Sequence, residues 1–165
     1  MHDDVEIRTF DEADLDGIVE FSLRAWEPIF ESFRQVLGDP IFLRLHQPDW
    51  RTVQGNAVRE SCTSDGHEVF VAAVGDQPIG FSAVALNAFH ERMGVIEIIA
   101  VDPDFQRRGI ARRLIDRSIE HMRSCGMDIA AVGTGGDPGH APARAVYEAQ
   151  GFTALPGVRY LQLLD

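Results

Sequence analysis

The sequence has no lysine, since all fifteen of its basic residues are arginine. This absence excludes every chemistry that needs a lysine amine, including Schiff-base catalysis and the lysine of a phosphate-binding P-loop. The fifteen arginines face 26 acidic residues, so the formal charge is 15 − 26 = −11. Nonspecific nucleic-acid binding requires net neutralisation of phosphates, and the sequence therefore predicts no nucleic-acid partner.

Long apolar runs, cysteines and metal-ligand patterns are also scarce. No run approaches the ~20 apolar residues that span a bilayer, and the N-terminus has no apolar signal region. Cys62 and Cys125 are too few and too far apart for a disulfide framework or a zinc ribbon. The six histidines show no HExxH motif. We therefore expect a cytoplasmic protein with no membrane partner and no metal.

The chain length fits one domain. At about 150 residues per domain, 165 residues with 45% hydrophobic content predict a single domain over residues 1–165. Strands are predicted over residues 5–10, 68–74, 79–86, 95–101, 128–134, 152–153 and 158–164. Helices are predicted from Asp11 onward with a break at Pro28, then over residues 29–37, 49–62, 107–124 and 142–151. This order predicts an α/β fold, an α+β sandwich rather than a doubly wound sheet.

The junction between the strand ending at Val101 and the following helix has the features of an anion site. Unpaired N–H groups at a helix start carry the positive end of the helix dipole, and Gly109 allows close backbone approach. Five arginines lie within eleven residues, against the single acid Asp116, giving a local charge of +4. These arginines are Arg107, Arg108, Arg112, Arg113 and Arg117. The sequence therefore predicts a polyanion site here.

Two segments resemble one known family. Gln106-Arg-Arg-Gly-Ile-Ala111 resembles the Q/R-x-x-G-x-G/A signature of the GNAT N-acetyltransferase superfamily. Downstream, residues 143–152 (ARAVYEAQGF) resemble its A-x-x-x-Y-E-x-x-G-F segment. With the order of elements, the resemblance covers essentially the whole chain. It implies one GNAT-like domain around a mixed, mostly antiparallel sheet of six or seven strands, splayed at the acetyl-CoA site and flanked by helices.

The resemblance also implies how acetyl-CoA, the acyl donor, would bind. The signature loop would hold the pyrophosphate through main-chain N–H groups, and the preceding strand would pair with the pantetheine arm. His140 stands where the family often has asparagine, so its role as a cofactor ligand competes with that of an ordinary loop residue. The implied cofactor-binding residues are Ile99, Ala100, Val101, Gln106, Arg107, Arg108, Gly109, Ile110, Ala111, Arg112, His140 and Tyr147.

Catalytic roles are implied for two residues and acceptor contacts for two more. Tyr147 would stabilise or protonate the departing CoA thiolate. Glu97, the single acid in its strand, would act as general base, or else it would simply face solvent. Trp26 and Phe30 lie where the family builds its acceptor pocket, although core packing explains aromatic residues there equally well.

The predicted function is an acetyl-CoA-dependent N-acetyltransferase that moves an acetyl group to a primary amine of a small molecule or peptide. Transfer would occur by direct attack in a ternary complex. The alternative is a non-catalytic acyl-CoA-binding or regulatory domain of the same fold. GNAT proteins are often dimers, so the resemblance is also compatible with a homodimer. Ten acids against two arginines among residues 1–31 suggest an acidic rim that favours cationic acceptors.

Overall fold

A computed structural model describes residues 4–164, which form one mixed sheet with helices on both faces. The strands are β1 (Val5–Thr9), β2 (His67–Val74), β3 (Gln77–Leu86), β4 (Met93–Val101) and β5 (Ile129–Val132). The helices are α1 (Leu15–Leu37), α2 (Asp39–Leu45), α3 (Trp50–Thr63), α4 (Ile110–Ser124) and α5 (Ala141–Ala149). Short 3₁₀ turns cover Glu12–Asp14, Pro103–Phe105 and Pro138–His140.

The strands lie in the sheet in chain order, β1-β2-β3-β4-β5. The first four pair antiparallel, and β5 then joins β4 in parallel after the α4 crossover. Short connections join β2 to β3 and β3 to β4, whereas α1, α2 and α3 lie between β1 and β2 in the chain. Antiparallel neighbours can be joined by short turns, while a parallel pair needs a long crossover. The α/β class and the mixed, mostly antiparallel sheet agree with the sequence prediction.

Each face of the sheet has its own apolar core. On one face, β2 and β3 pack against α1 and α3 through residues such as Ile18, Phe21 and Val58, all at most 2% exposed. On the other face, Leu114 and Ile115 of α4 are fully buried against the sheet. The apolar stripe of α4 therefore faces the sheet, as its helical spacing predicts.

The predicted number of strands is wrong, because the two predicted C-terminal strands do not form within residues 4–164. Residues 152–153 and 158–164 form no strand among the described residues, so the sheet has five strands rather than six or seven. Apolar alternation signals a β-prone segment, but a strand forms only where a neighbouring edge accepts its backbone hydrogen bonds. Within residues 4–164, no strand edge pairs with these residues.

The predicted break at Pro28 is also wrong, because α1 runs through it without interruption. A proline inside a helix removes the hydrogen bond to the carbonyl four residues earlier, here that of Arg24. Both Arg24 and Pro28 are exposed, so water can hydrate that carbonyl. Helix α4 begins three residues later than predicted, at Ile110, because Gly109 has a left-handed backbone with φ +77°.

An ion pair between an exposed arginine and a buried carboxylate joins α1 to the turn that follows β4. Asp102 is 2% exposed, and its carboxylate accepts a hydrogen bond of 2.9 Å from Arg24. The other Asp102 oxygen accepts from the backbone N–H of Asp104 at 3.0 Å, which closes the turn. Arg24 also contacts the exposed Asp104 carboxylate at 3.2 Å. The pair thus fixes the turn relative to the helix layer.

We expect Arg24→Gln to lower the free energy of unfolding by about 1–3 kcal/mol, because a buried carboxylate then loses its charged partner. Urea denaturation of the two proteins measures this difference. Arg34→Gln is the matched control, since it removes the exposed pair with Asp39 and should cost clearly less than Arg24→Gln. Equal losses in the two variants would contradict the role given to Asp102.

Candidate active site

The parallel strands β4 and β5 pair over only part of their length. Their register runs from Met93 opposite Ile129 to Ile96 opposite Val132, where β5 ends. Beyond this point, residues 97–101 of β4 have no partner on the β5 side, although residues 98–101 remain paired with β3. The backbone groups on that side are therefore available to pair with an extended ligand, except the Val101 carbonyl, which accepts a hydrogen bond from the Gln106 side chain.

The loop after β4 turns sharply into α4. Arg107 and Gly109 both adopt left-handed backbones, with φ values of +63° and +77°. For a residue with a Cβ this conformation costs of order 1 kcal/mol or more, and such positions concentrate at ligand-binding sites. The Gln106 side-chain amide donates a hydrogen bond of 3.0 Å to the Val101 carbonyl, which ties the loop to the end of the strand.

The start of α4 is open to a ligand. Its N-cap, Gly109, provides no side-chain hydrogen bond to the first turn, and a Cβ built there would meet nothing within 4 Å. The helix has fifteen residues, so its N-terminus carries the positive end of a substantial dipole. Uncapped N–H groups beside open space are the features that suit an anion such as a pyrophosphate.

The arginines of this region divide into two groups. Arg107, Arg108 and Arg112 are exposed at the loop and the first turn. Arg113 instead donates to the Val5 carbonyl at 2.8 Å, and the Arg117 guanidinium lies 4.4 Å from the centre of the Phe70 ring. These last two arginines hold α4 against the sheet, so the predicted +4 charge is only partly available to a ligand.

Tyr147 lies on α5 and packs against the apolar core of the α4 face. Its ring meets Phe152 edge-to-face with centroids 6.0 Å apart. Burial raises the pKa of the Tyr147 phenol, so the hydroxyl keeps its proton at neutral pH. No hydrogen bond occupies this hydroxyl within residues 4–164. A general acid needs a protonated group whose hydroxyl is not held in another hydrogen bond, and the Tyr147 phenol meets this requirement. Its catalytic role stays a prediction.

Glu97 occupies a β-bulge. The register between β3 and β4 shifts there, because Ala83 pairs with Ile98 and Val84 pairs with Ile96, which leaves Glu97 without an opposite residue. Bulges redirect side chains and often lie beside active sites. The Glu97 side chain is 39% exposed. A carboxylate this exposed does not need a functional explanation. Its position at the bulge is the stronger reason to treat Glu97 as a candidate catalytic residue.

Glu97 has a partner that the sequence patterns do not reveal. The His67 Nε2 atom lies 2.5 Å from the Glu97 carboxylate, and the His67 side chain is only 15% exposed. His67 lies on β2, two strands away from β4, so the backbones are separated by roughly 10 Å. The register places Ala85 of β3 opposite His67, and this small side chain leaves room between the two outer strands. Only the sheet register could have predicted this contact.

Within residues 4–164, His67 forms a side-chain hydrogen bond through only one of its two ring nitrogens. An ionised carboxylate only accepts hydrogen bonds, so the Nε2 atom carries the hydrogen and donates to Glu97. The Nδ1 atom of His67 is buried and has no partner within residues 4–164. His67 thus donates a hydrogen bond that orients the Glu97 carboxylate.

His140 is held by the fold rather than free in a loop. Its Nδ1 atom lies 2.5 Å from Asp137, and its ring packs on Phe33 with centroids 5.3 Å apart. Asp137 also accepts a hydrogen bond of 2.7 Å from the Ser32 hydroxyl of α1. Burial alone would raise the pKa of Asp137, but the hydrogen bonds from Ser32 and His140 outweigh it and lower that pKa. Only Nε2 of His140 stays available to a ligand.

Two glycines permit this network. A Cβ at Gly135 would lie 2.3 Å from an Asp137 carboxylate oxygen, and one at Gly139 would lie 2.7 Å from the Ser32 Cβ. Close packing explains both glycines, since Gly135 lies against Asp137 and His140 of its own loop and Gly139 lies against Ser32 of α1.

The predicted acceptor residues differ in position. Trp26 is half-buried and packs against the core of the α1 face. Phe30 is 6% exposed and stacks on Trp50 with ring centroids 4.4 Å apart. Phe30 and Trp50 line a cavity of about 230 Å³ between α1, α2 and α3. The other lining residues are Glu27, Glu31, Arg34, Phe42 and Arg51. Phe30 is therefore at a cavity wall, whereas Trp26 contributes to the core.

Three of the ten acids among the first 31 residues form ion pairs with arginine. Asp14 and Arg8 form a bidentate pair with both distances 2.7 Å, and Arg8 holds the pKa of this carboxyl below its usual value. Three further acids are bound by arginine or a backbone N–H. These contacts are Asp11 with the Ala13 N–H, Asp16 with Arg59 and Glu27 with Arg51. Asp3 lies outside the described residues. The acidic rim is therefore smaller than the sequence predicts.

Two structural features bear on other partners. Within residues 4–164, no group of three or more histidine, cysteine or carboxylate side chains is arranged to hold a metal ion. No helix in the described part of the chain is long and apolar enough to cross a membrane.

Comparisons with known proteins identify the family. The model of the acetyltransferase (GNAT) family matches residues 26–152, which include the loop at Gly109 and the tyrosine of α5. The chain therefore belongs to the GNAT acetyltransferase family. It is 42% identical over 62 residues to a mycothiol acetyltransferase from Beutenbergia cavernae. That match covers 38% of this chain and only 20% of the relative's length.

Solved structures share the fold across nearly the whole chain. A GNAT-family protein from Desulfovibrio desulfuricans has a TM-score of 0.70 and 21% identity, over 92% of this chain and 87% of that one. The aminoglycoside N-acetyltransferase AAC(6')-Iy, solved in complex with CoA, has a TM-score of 0.62 and 21% identity, over 96% and 94%. At these identities the similarity is one of fold.

Proposed function

We propose that this protein is an acetyl-CoA-dependent N-acetyltransferase that acetylates a primary amine of a small molecule or peptide. The observation that carries the proposal is the opening between β4 and β5, which leads directly to the uncapped start of α4. Backbone groups along one strand and at one helix start suit a ligand with an extended amide arm and a pyrophosphate. CoA has both parts in this order, and GNAT enzymes use acetyl-CoA.

The chain would bind the donor mainly through its backbone. Residues 99–101 would pair with the pantetheine arm, and the N–H groups from Arg107 to Ala111 would surround the pyrophosphate. Ile110 is 2% exposed, so only its backbone can take part. Arg107, Arg108 and Arg112 would add exposed, salt-sensitive charge. His140 would contribute through Nε2 alone.

Chemistry would follow from direct attack in a ternary complex. The amine nitrogen forms a bond to the thioester carbonyl carbon, the carbon–sulfur bond breaks, and CoA leaves as a thiolate. Glu97 would accept the proton that the attacking nitrogen loses, directly or through a water. Tyr147 would donate its phenolic proton to the sulfur or stabilise the thiolate. His67 would orient the Glu97 carboxylate and does not itself exchange a proton.

The acceptor is proposed only as a class. The cavity at Phe30 and Trp50 has aromatic walls and carries both carboxylates and guanidinium groups. Aromatic walls with mixed charge suit a polar amine of moderate size. The fold shared with aminoglycoside acetyltransferases supports an amine acceptor without identifying it. The ion pairs of Asp14, Asp16 and Glu27 with arginine offset part of the acidic charge of residues 1–31, which weakens the support for a preference for cations.

We expect Gly109→Val to weaken acetyl-CoA binding at least tenfold, because its side chain would fill the space that the pyrophosphate needs. Isothermal titration calorimetry measures this affinity. Gly126→Val is the matched control, because Gly126 lies just beyond the other end of α4 with the same φ of +77° and the same open surroundings. The backbone penalty is then equal in both variants. Similar affinities in the two variants would contradict the proposed site.

We expect Tyr147→Phe to retain acetyl-CoA affinity and to lower kcat at least tenfold, because only the departing thiolate needs the hydroxyl. General acids typically contribute ~10²–10⁴-fold, and a thiolate leaves easily, so the low end applies. Release of free thiol from acetyl-CoA with a panel of amines measures the rate. If the unaltered protein binds acetyl-CoA but releases no thiol with any amine, the acyl-CoA-binding alternative is correct. Full kcat in the variant would remove Tyr147 from the mechanism.

We expect Glu97→Gln to lower kcat at least tenfold while acetyl-CoA binding is unchanged, since the amide cannot accept the proton. His67→Phe should lower kcat less and leave KM for the donor unchanged. His67→Gln should restore most of the rate, because its amide nitrogen can replace the Nε2 donor. Equal rates for the Phe and Gln variants would show that His67 serves only the packing of the sheet. An active Glu97→Gln variant would assign proton acceptance to water.

A further inference from the structure

The acceptor nitrogen gives up two protons during acetyl transfer, and the proposed function assigns a base to only one of them. A primary amine is an ammonium ion at neutral pH, as the amine of lysine is. It loses one proton before it can attack the thioester, and the tetrahedral adduct loses a second before the amide is complete. Glu97 accounts for one of these protons, so a second base is expected beside the acceptor.

His140 connects the wall of the acceptor cavity to the helix that carries Tyr147. Phe30 lines the cavity, and its ring meets Phe33 edge-to-face with centroids 5.9 Å apart. The Phe33 ring packs in turn on His140, with centroids 5.3 Å apart. His140 is the N-cap of α5, and residues seven apart, such as His140 and Tyr147, lie on nearly the same face of a helix. The imidazole therefore stands between the cavity and the tyrosine proposed to act on the sulfur.

Asp137 determines which ring nitrogen of His140 carries the hydrogen. Burial opposes ionisation of Asp137, but the hydrogen bonds that it accepts outweigh this effect and keep its pKa below the usual value. An ionised carboxylate only accepts hydrogen bonds, so the Nδ1 atom of His140, 2.5 Å away, carries the hydrogen. The Nε2 atom of the neutral ring then has a free lone pair. A histidine in this tautomer accepts a proton at Nε2, and the carboxylate stabilises the imidazolium that forms.

Helices α1 and α5 hold the carboxylate in this position. The Ser32 hydroxyl of α1 donates to Asp137 at 2.7 Å and accepts from the backbone N–H of Gly139 at 3.0 Å. Arg144 of α5 donates to the backbone carbonyls of Gly135 and Asp137, at 2.7 and 2.9 Å. Ser32 thus contacts the carboxylate rather than the imidazole, so it supports Asp137 and is not a nucleophile that His140 activates.

We propose that His140 is a second catalytic base, which takes the proton of the incoming ammonium, while Glu97 takes the proton of the tetrahedral adduct. The inference rests on the proposed acetyl transfer. The order follows from basicity, because an imidazole is in general a stronger base than a carboxylate. The ammonium holds its proton tightly and needs the stronger base. The nitrogen of the adduct gives up its proton easily, so a carboxylate is sufficient there.

The steps balance in protons and bonds. An N–H bond of the ammonium breaks as the Nε2–H bond of His140 forms, and the free amine attacks the thioester carbon. The adduct passes its extra proton to Glu97, the carbon–sulfur bond breaks, and Tyr147 protonates the sulfur. The nitrogen has then lost two protons, of which one is matched by the thiol and one goes to water. The His140 side chain is 15% exposed, so its imidazolium can return the proton to solvent.

Nitrogen–proton correlation NMR of the unliganded protein tests the tautomer without turnover. At a pH where the ring is neutral, we expect the hydrogen of His140 on Nδ1 and a bare Nε2 atom. The signals are assigned by their loss in His140→Asn. A hydrogen on Nε2 would overturn the role of His140 and leave the proposed acetyl transfer standing.

Kinetics of His140→Asn with two matched amines test the step itself. The asparagine amide can still donate to Asp137 but cannot accept a proton. The probes are a primary amine that the unaltered protein acetylates and its analogue with two fluorine atoms beside the amino-bearing carbon, which is neutral at the assay pH. We expect kcat/KM to fall by roughly tenfold or more for the parent amine and by less than about threefold for the analogue. Glu97→Gln is the matched control, and it should slow both amines because both form the adduct.

The outcomes separate this role from the others open to His140. Equal losses of kcat/KM with the two amines, or no loss with either, would overturn the proposal. A fall in acetyl-CoA affinity as large as the fall in rate, measured by calorimetry, would make His140 a donor ligand and overturn it as well. If the unaltered protein releases no thiol with any amine, the proposed function fails and this inference fails with it.

Discussion

The difference in length between β4 and β5 is the constraint on which the site depends. Parallel strands that stayed paired to their ends would satisfy each other's backbone and leave nothing for a ligand. Here β5 ends at Val132, four residues before the register would reach Ala100, and β4 continues to Val101. Buried or half-buried peptide groups need hydrogen-bond partners. An extended ligand can supply them for the N–H and C=O groups of this unpaired stretch. The loop after β4, with its left-handed residue Gly109, then directs the N-terminus of α4 toward the same space.

Helix α1 keeps this opening at a fixed width. Arg24 holds Asp102 in the turn after β4, and Ser32 holds Asp137 in the loop after β5. The two α1 residues are eight positions apart, which corresponds to about 12 Å along a helix. One rigid element therefore contacts the chain beyond both diverging strands. Because Asp102 and Asp137 are both largely buried, these contacts resist exchange with water better than surface pairs do.

The residues that the sequence predicts well are those whose signal is local. Gly109 and the apolar stripe of α4 follow from a strand, a turn and a helix that adjoin in the chain, and the structure has them there. Local sequence patterns do not predict the role of His67, because its contact with Glu97 depends on the register of three strands and on a bulge. The prediction of two C-terminal strands is wrong for a related reason. Residues 158–164 have β-prone side chains, but a strand forms only where a neighbouring edge accepts its backbone hydrogen bonds.

A crystal structure of the protein with bound CoA tests the central claim most directly. The backbone N–H groups of residues 107–111 should lie within hydrogen-bonding distance of the pyrophosphate oxygens. The pantetheine arm should run beside residues 99–101, with the sulfur near the Tyr147 hydroxyl. CoA bound at another surface, or a pyrophosphate held only by arginine side chains away from the start of α4, would contradict it.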